Sequence, residues 1–431
     1  MKTKSFTVDY VSRVEGQGAL DVALSRDGEV KEVKLRIFEP PKFFEAFLVG
    51  RGYEEVMELT SRICGICPVA HQVTALRAVE NAMGVEIGQQ TRDLRKLFAL
   101  SAIMHSHTFS MYFLSLPDLM EYESSLAMIN DHPEIVKRGL RIKKLANDLT
   151  DLIGGRAVHP VTAKVKAFTS FPDRSKMNEI RKRLEDSRAD AQETVDLFAG
   201  LETPKLERRC EHVALSRRDE YAINEGRIRS TDGLDVKEDE YRSHFGEKQV
   251  PYSMAKHSTL HSKSFMVGPL PRVNINFDQL SPAGREAARS GGFKVPTFNP
   301  FASHMARAIE LVHAVDECVD IIERLPYAEE DRSVVPRPGD GFAVTEAPRG
   351  ILYHSYTINR RGLVERADIV PPTAHNARNM ETDLWHFLPQ IIDLPLKEIT
   401  LKCEMLIRAY DPCISCSVHF LRVNLGNVKS G

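Results

Sequence analysis

The sequence predicts a single α+β domain, mainly helical, with a small β-hairpin or sheet at its N-terminus. Residues 5–38 alternate apolar and polar side chains around an Asp27-Gly28 step, a pattern typical of a hairpin with a tight turn. From about residue 42 to residue 200 the apolar side chains recur mostly with helical spacing. No internal repeat or convincing linker interrupts the chain. We therefore expect one domain over residues 1–431.

The remaining segments are expected to mix helices with short strands. Residues 175–199 read as one long, charged helix with Ser175 as its cap. Residues 272–276 form a short β-like run, and residues 301–325 return to helical spacing. Residues 330–375 are expected to hold many turns and short strands. The tail then leads through short strand and helix into the last cysteines.

The composition is that of an ordinary globular protein. Hydrophobic residues make up 42% of the chain and charged residues 27%, and the formal net charge is −2. A chain so close to neutral lacks the basic surface that binds nucleic acids, and we expect no nucleic-acid partner.

One apolar segment is long enough to cross a bilayer. Residues 97–116 contain no Asp, Glu, Lys or Arg. They do contain two histidines and four serines, and no second segment of this kind exists, so we interpret them as a helix buried in a large soluble protein. The N-terminus also lacks the apolar stretch of a signal peptide. We expect a cytoplasmic protein.

Four of the seven cysteines form two Cys-x-x-Cys pairs near opposite ends of the chain. The pairs are Cys64-Gly-Ile-Cys67 and Cys413-Ile-Ser-Cys416, with 345 residues (413 − 67 − 1) between them. An odd, low cysteine count excludes a disulfide scaffold and favours metal or redox chemistry in a reducing compartment. The isolated cysteines are interpreted as buried apolar residues; they are Cys210, Cys318 and Cys403.

The cysteine pairs predict a site of four thiolates around a metal. Residues 68–82 look helical, with Pro68 in the first turn, so the first pair lies where a helix begins. The amides and dipole of a helix N-terminus favour thiolates. A closed structural zinc site is the common use of such pairs. A single thioredoxin-like redox pair is a weaker alternative. Zinc, copper(I), iron and nickel all suit thiolates, so the spacing does not choose among them.

The residues around the cysteines carry a more specific signal. The first pair reads Arg62-x-Cys-Gly-x-Cys-x-x-x-His71, and the second reads Asp411-Pro-Cys-x-x-Cys-x-x-His419. Together they resemble the double signature of the large subunit of nickel–iron hydrogenases. The resemblance continues through four further motifs: Arg13-Val-Glu15-Gly16, Gly154-Gly-Arg-Ala-Val-His-Pro160, Glu346-Ala-Pro-Arg349-Gly350 and Val370-Pro-Pro-Thr373.

This resemblance implies a fold with a central helix bundle and a centre of nickel and iron. By it, nickel is bound by all four thiolates, with Cys64 and Cys413 terminal. Cys67 and Cys416 bridge to an iron that carries cyanide and carbon monoxide. Two metals held so close can polarise H2 between them.

The resemblance also implies a proton path and an anchored arginine. Cys413 takes the proton from H2 and Glu15 passes it on, a task that suits a carboxylate of tunable pKa. Arg349 donates toward a cyanide. Relatives linked to membranes have an aspartate where this chain has Ser106, which leaves Asp411 to pair with Arg349.

Further residues of the implied site surround the two metals. Val370, Pro371 and Thr373 help to form the pocket around the diatomic ligands. His71 hydrogen-bonds a bridging sulfur. Elsewhere, Glu45 and His419 would bind magnesium, with a backbone carbonyl near residues 368–369 completing its oxygen-rich shell.

The partners follow from what the chain lacks. No further cysteine cluster could hold an iron–sulfur relay, so an iron–sulfur small subunit is expected. No Gly-x-Gly-x-x-Gly motif follows a strand, so flavin or NAD(P) must bind other subunits, beside ferredoxin-like ones. The sulfhydrogenase-like, NAD(P)-linked branch is the first choice and the heterodisulfide-reductase-linked branch the second.

The resemblance also implies that the C-terminal tail is removed during maturation. Relatives are usually cut after the last histidine once nickel is in place, so insertion factors for nickel and iron and a maturation protease are expected to remove residues 420–431. The alternatives are a non-catalytic subunit, like the quinone-site subunit of the respiratory NADH dehydrogenase complex, and a zinc-stabilised structural module.

Overall fold

The structure, a computed structural model, describes residues 5–25, 27–40 and 42–418. The strands are β1 (Ser5–Val8), β2 (Gly18–Leu24), β3 (Val30–Ile37), β4 (Glu211–Ser216), β5 (Arg227–Ser230), β6 (Asp235–Val236), β7 (Phe245–Gln249), β8 (Lys256–Leu260), β9 (Phe265–Met266), β10 (Gly339–Ala347), β11 (Gly350–Ile358) and β12 (Val364–Val370). The helices are α1 (Phe44–Leu48), α2 (Tyr53–Thr60), α3 (Pro68–Met83), α4 (Gln89–Phe109), α5 (Leu116–Leu119), α6 (Pro133–Gly154), α7 (Arg174–Asp186), α8 (Arg188–Ala199), α9 (Tyr241–His244), α10 (Pro269–Ile275), α11 (Pro282–Ser290), α12 (Ser303–Arg324), α13 (Pro372–Ile391) and α14 (Leu396–Tyr410).

The N-terminal sheet is antiparallel, in the order β1-β2-β3. Leu20 faces Leu35 across β2 and β3, and both side chains are buried. The turn between these strands contains Gly28, whose φ of 86° lies in the left-handed region that glycine adopts at little cost. The turn predicted at Asp27-Gly28 is thus confirmed. Between β1 and β2 the chain makes an excursion, residues 9–17, that carries Glu15 away from the sheet.

Helices around α4 and α12 form the centre of the protein. Helix α4 packs against α6 and α12, and α12 also contacts α7 and α8. Leu97, Leu311 and Ile321 are fully buried there. The helix expected over residues 301–325 is therefore confirmed as α12, and the one over residues 68–82 as α3. The apolar segment of residues 97–116 lies inside this core, in α4 and a π-helical turn, Ser110–Ser115.

Within the described ranges, no helix combines the length and the hydropathy that a membrane span requires. The polar residues of the apolar segment already indicate why. His107 is buried in this segment, and its Nε2 lies 2.7 Å from Glu310 on α12.

A second antiparallel sheet, β10-β11-β12, packs against α3. Ala347 pairs with Gly350 at the end of β10 and β11, so Pro348 and Arg349 form the tip of a tight hairpin. The short strands expected over residues 330–375 are thus wrong in length, because the apolar and aromatic residues of β11 are buried along the whole strand. This sheet positions both Arg349 and the segment that follows β12.

Three further expectations are wrong. The charged segment is two helices, α7 and α8, because Ser187 turns its hydroxyl to the carbonyl of Leu184 between them. Asp173, rather than Ser175, caps α7 by accepting from the amide of Lys176. Residues 272–276 lie in and just after helix α10, which begins at Pro269.

The last part of the chain also differs from expectation, since it is helical up to the second cysteine pair. Helices α13 and α14 pack on each other, and α13 covers strands β3 and β8. The apolar face of α14, including Cys403 and Leu406, is fully buried.

Candidate metal centre

The four paired cysteines meet in the interior, although the pairs lie at opposite ends of the chain. Their sulfur atoms all lie within 4.8 Å of one another. The Cys64–Cys413 sulfur distance is 3.1 Å, and Cys67–Cys416 is 3.5 Å. All four residues are buried. The predicted convergence of the two pairs is therefore present in the structure.

The first pair is positioned by the start of α3. A short helical turn, Ser61–Ile63, delivers Cys64, and Cys67 immediately precedes Pro68 at the first position of the helix. The amides of Ile66 and Cys67 lie 3.3 and 3.4 Å from the Cys64 sulfur. Backbone donors at a helix N-terminus favour the thiolate form of such a sulfur.

The second pair is positioned by the end of α14. Asp411 ends this helix with a φ of 53°, and the chain then turns inward through Pro412. The amide of Cys413 donates to Oγ1 of Thr373 over 2.9 Å, at the start of α13. The amide of Cys416 donates to the carbonyl of Cys413 over 3.2 Å, which closes the loop. Two helix ends therefore fix the second pair.

Burial and mutual hydrogen bonds shift the pKa values of the paired cysteines in opposite directions. The pKa of Cys64 is well below its usual value because the thiols of Cys413, Cys416 and Cys67 donate hydrogen bonds to it. Burial raises the pKa of Cys413 and of Cys416 well above the usual value. Four sulfurs in this setting become thiolates together only around metal ions, and soft ions such as nickel and iron suit them.

Glu15 reaches this cluster from the excursion between β1 and β2. The thiol of Cys413 donates to Oε2 of Glu15 over 3.2 Å. The same oxygen accepts the amide of Ser415 over 3.0 Å, and the Ser415 hydroxyl donates to Oε1. Both oxygens of the carboxylate are therefore held, one of them toward a cluster sulfur.

Arg349 lies at the hairpin tip and pairs with Asp411, as expected. Its Nε donates to the Asp411 carbonyl over 2.6 Å, and Nη2 to the carboxylate over 3.0 Å. Its Nη1 is buried with no hydrogen-bond partner among the residues that the structure describes. The hydroxyl of Ser106 is likewise buried and unpaired there. The unpaired Nη1 of Arg349, whose guanidinium interacts with the cysteine cluster, fits a bound group that can accept a hydrogen bond from it.

His71 lies on α3, one turn after Cys67, and belongs to a chain of polar side chains that the sequence did not reveal. Its Nδ1 lies 3.2 Å from Nε2 of His354, whose Nδ1 lies 2.7 Å from the Tyr356 hydroxyl. Burial lowers the pKa of His71 to about 4, so the ring is neutral. His354 and Tyr356 alternate on β11 and therefore share a face, which was the one available signal.

The expected magnesium ligands can be located only in part. Oε1 of Glu45 accepts the amide of Ile369 over 2.9 Å, beside the backbone expected to complete the shell. Burial raises the pKa of Glu45 to about 7. His419 lies outside the described residues, as do residues 420–431. Val418 is described, and its carbonyl accepts the amide of Lys42 over 3.0 Å, three positions from Glu45.

Val370, Pro371 and Thr373 are all buried where β12 passes into α13. They lie beside the second pair, since the Thr373 hydroxyl contacts the amide of Cys413. Cys210, Cys318 and Cys403 are also buried, away from the cluster, and burial raises the pKa of Cys210 to about 12. The interpretation of these three as core residues is confirmed.

Comparisons with known proteins agree with this geometry. The chain matches the family described as nickel-dependent hydrogenase over residues 42–153 and 216–419. Sulfhydrogenase 1 subunit alpha of Pyrococcus furiosus is 35% identical over 423 residues, which cover 97% of this chain and 98% of that protein. Sulfhydrogenase 2 subunit alpha of the same organism is 32% identical over 425 residues, covering 96% and 99%.

A solved structure of an NAD+-reducing NiFe hydrogenase in the H2-reduced state has the same fold. The two superimpose with a TM-score of 0.88 at 25% identity, over 97% of this chain and 100% of the other. The predicted hydrogenase large-subunit fold is therefore confirmed. With its four buried thiols, its matched motifs and these relatives, the chain belongs to the nickel-dependent hydrogenase family, as one of its large subunits.

Proposed function

We propose that this chain catalyses the reversible heterolytic cleavage of H2 and passes the electrons to a partner subunit. The observation that carries the proposal is the contact between Cys413 and Glu15, which joins a cluster sulfur to a carboxylate over 3.2 Å. A structural metal site needs no such acceptor, whereas heterolysis requires a base that takes the proton away.

Nickel and iron would be held by the four thiolates. In this assignment Cys64 and Cys413 would serve nickel alone, and Cys67 and Cys416 would serve both nickel and an iron that carries cyanide and carbon monoxide. The centre, when bound, polarises H2 and takes up its electrons. The burial of all four sulfurs supports this, because exclusion of water strengthens the electrostatic effect of the metals.

The chain's own residues handle the proton. The sulfur of Cys413 accepts it, and Oε2 of Glu15 receives it over the existing hydrogen bond. The backbone amide and hydroxyl of Ser415 fix the carboxylate in the orientation that this transfer needs. A base already held in hydrogen-bond contact with its proton donor needs no reorientation before the transfer.

Arg349 and the segment Val370–Thr373 are assigned to the diatomic ligands. The unpaired Nη1 of Arg349 supports a donor role toward a cyanide, and Asp411 keeps the guanidinium in place. His71 is assigned a hydrogen bond to a bridging sulfur. Its partner His354 supports this role by fixing the ring. Magnesium is assigned to Glu45 and His419.

Electrons must leave through another protein. Among the described residues, the four-cysteine cluster is the single group of three or more metal-ligating side chains. We propose an iron–sulfur small subunit, with flavin and NAD(P)-binding and ferredoxin-like subunits behind it. The relatives named as sulfhydrogenase and NAD+-reducing hydrogenase favour NAD(P) as the acceptor. A heterodisulfide-reductase-linked partner is the alternative, and a cytoplasmic location stays a prediction.

Elemental analysis combined with isotope exchange tests the proposal. The purified complex should contain nickel and iron in roughly equal amounts and should exchange D2 with protons of water. This exchange needs heterolysis and no electron acceptor, so it is independent of the partner assignment. Zinc alone in the four-cysteine site, or nickel and iron without exchange, would contradict the proposed function.

A further inference from the structure

A buried arginine outside the metal centre has every donor engaged. Arg272 lies on α10 and is fully buried. Its Nε and Nη2 donate to the two oxygens of Glu310 over 2.6 and 2.7 Å, a fork that matches the planar guanidinium. Its Nη1 donates to Oε2 of Glu346 over 3.0 Å. Two carboxylates from different elements therefore hold this guanidinium.

The remaining donors of Arg272 hold the backbone directly before Arg349. Nη1 donates to the carbonyl of Ala347 over 2.9 Å, and Nη2 to that of Pro348 over 3.0 Å. A guanidinium has five N–H groups, and these contacts use all of them. Arg272 therefore joins the tip of the β10–β11 hairpin to the helical core.

The two carboxylates are themselves held from several sides. Glu310 also accepts from the Tyr221 hydroxyl over 2.6 Å and lies 2.7 Å from Nε2 of His107. Oε1 of Glu346 accepts the amide of Leu215 over 2.8 Å. The cluster thus ties the hairpin to α4, α10, α12 and β4. None of these side chains contacts the four cysteines through a hydrogen bond within the described residues.

The hairpin tip also packs tightly against the start of α10. A Cβ on Gly350 would lie 2.8 Å from the amide nitrogen of Gly268 and 2.4 Å from a methyl group of Val267. A Cβ on Gly268 would lie 3.2 Å from the carbonyl oxygen of Arg349. Both glycines have positive φ, 127° for Gly268 and 126° for Gly350. The backbone that carries Arg349 is therefore in direct contact with the helix that carries Arg272.

Stability alone is a weak reason for such a cluster. Buried ion pairs are often no more stabilising than apolar side chains of the same volume, because the charges lose their hydration. What the cluster provides is a fixed geometry at one hairpin tip. We propose that Arg272 is a positioning residue, which, through Glu310, Glu346 and the carbonyls of Ala347 and Pro348, holds Arg349 in place beside Asp411 and the cysteines.

This inference rests on the proposed role of Arg349, and a matched control separates it from a general loss of stability. Arg95 is also fully buried and forms a two-pronged pair with Glu80, with both bonds at 2.6 Å. Glu80 lies thirteen positions after Cys67 along α3, about 20 Å at the rise of an α-helix. Arg272→Lys and Arg95→Lys each break one such fork.

The first measurement is hydrogen–deuterium exchange of the metal-loaded complex. In Arg272→Lys, peptides covering residues 345–351 should take up deuterium faster than in wild type, and in Arg95→Lys they should not. Equal uptake in the two variants would overturn the proposal. Glu346→Gln, which retains an oxygen for the Leu215 amide, should show the same effect more weakly, and it serves if Arg272→Lys does not fold.

The second measurement is a double-mutant cycle on D2 exchange. Arg272→Lys should lower the rate about 10- to 100-fold, the usual effect of a displaced site residue, while Arg95→Lys stays within about twofold. In an Arg349→Lys background, Arg272→Lys should add little, because it acts through Arg349. Full additivity would overturn the proposal. An unaffected rate in Arg349→Lys alone would instead contradict the role of Arg349 in the proposed function, and the deuterium uptake would still decide whether Arg272 holds the hairpin.

Discussion

The thiol of Cys413 donates to the carboxylate of Glu15 over 3.2 Å, and the backbones of the same two residues run side by side. The amide of Ile414 donates to the Glu15 carbonyl over 2.9 Å, so side chain and main chain are joined at one place. Residues 398 positions apart (413 − 15) thus form a single unit. The base cannot move away from the sulfur unless the C-terminal loop moves with it.

Replacing Glu15 by Gln should stop proton transfer while leaving the loop intact. The amide oxygen can still accept the Ser415 amide, but the side chain no longer takes up a proton. We expect D2 exchange and H2-driven dye reduction to fall at least 100-fold, the usual contribution of a general base. Both rates are measured on the purified complex.

The matched control is Glu404→Gln. Glu404 accepts the amide of Ser12, a residue of the same excursion as Glu15, over 2.9 Å, and it forms no hydrogen bond with the four paired cysteines. It should retain wild-type exchange within about twofold. Activity in Glu15→Gln equal to that of this control would show that the proton leaves by another route.

Cys413→Ser should abolish activity and disturb metal binding. An alcohol is a harder, far less acidic ligand than a thiol and does not replace a thiolate on a soft metal. We expect H2-driven dye reduction to disappear, with nickel content below that of wild type. Cys403→Ala, a change in the buried face of α14, should keep the full nickel and iron content. Dye reduction that survives in Cys413→Ser would refute the assigned mechanism.

The sequence predicted the cysteine cluster because its signals are local and strong. The ligand residues lie within two short motifs. Pro68 indicates the start of α3 from the local sequence alone. The Asp27-Gly28 turn was predictable for the same reason. Pairing of Arg349 with Asp411 was implied by the resemblance to the hydrogenase family, and the structure contains it.

The groups that support the site were not predictable because they depend on long-range contacts. Arg272 lies in a run of alternating apolar and polar residues that reads as a strand, yet two nearby prolines begin a helix there. Asp118 forms ion pairs with Arg13 and Arg408, and these three residues come from distant parts of the sequence. The spacing of these residues in the sequence does not predict that they are in contact.

Tyr356→Phe should destabilise the protein by about 1–3 kcal/mol, because it leaves Nδ1 of buried His354 without its partner. The melting temperature should fall accordingly. Tyr122→Phe is the matched change at an exposed hydrogen bond, in which the hydroxyl of this partly buried tyrosine donates to Asp131 over 3.0 Å. It should alter stability by less than about 0.5 kcal/mol. Equal effects in the two variants would mean that the hydrogen bond between Tyr356 and His354 adds nothing to the stability of the protein.

Active enzyme should contain a chain that ends at His419. The second cysteine pair lies only a few residues before this position, so residues 420–431 follow the metal site directly. We expect intact-mass measurement of nickel-loaded protein to give the shortened chain, and protein made without nickel to give the full one. A full-length chain in active, nickel-loaded enzyme would rule out removal of the tail.

Glu381 should make stability depend on pH between about 4.5 and 7. Its oxygens accept the Leu35 amide over 2.8 Å and the Tyr252 hydroxyl over 3.0 Å, and burial raises its pKa to about 7. Since this pKa is higher in the folded than in the unfolded chain, the stabilising contribution is complete below about pH 4.5 and is lost as the pH rises through 7. Each pKa unit corresponds to about 1.4 kcal/mol, so the loss over this shift is on the order of 3 to 4 kcal/mol.

Glu381→Gln removes this titration, and melting temperatures measured from pH 4.5 to 8 reveal it by difference. The variant should gain stability relative to wild type as the pH rises, and the gain should level off toward about pH 8, where Glu381 of the folded wild type is almost fully ionised. Other titrating groups cancel in the comparison. Glu365→Gln changes an exposed glutamate on β12 and should give a difference that does not vary with pH. A flat difference for Glu381→Gln as well would mean that this carboxyl titrates alike in the folded and unfolded chain.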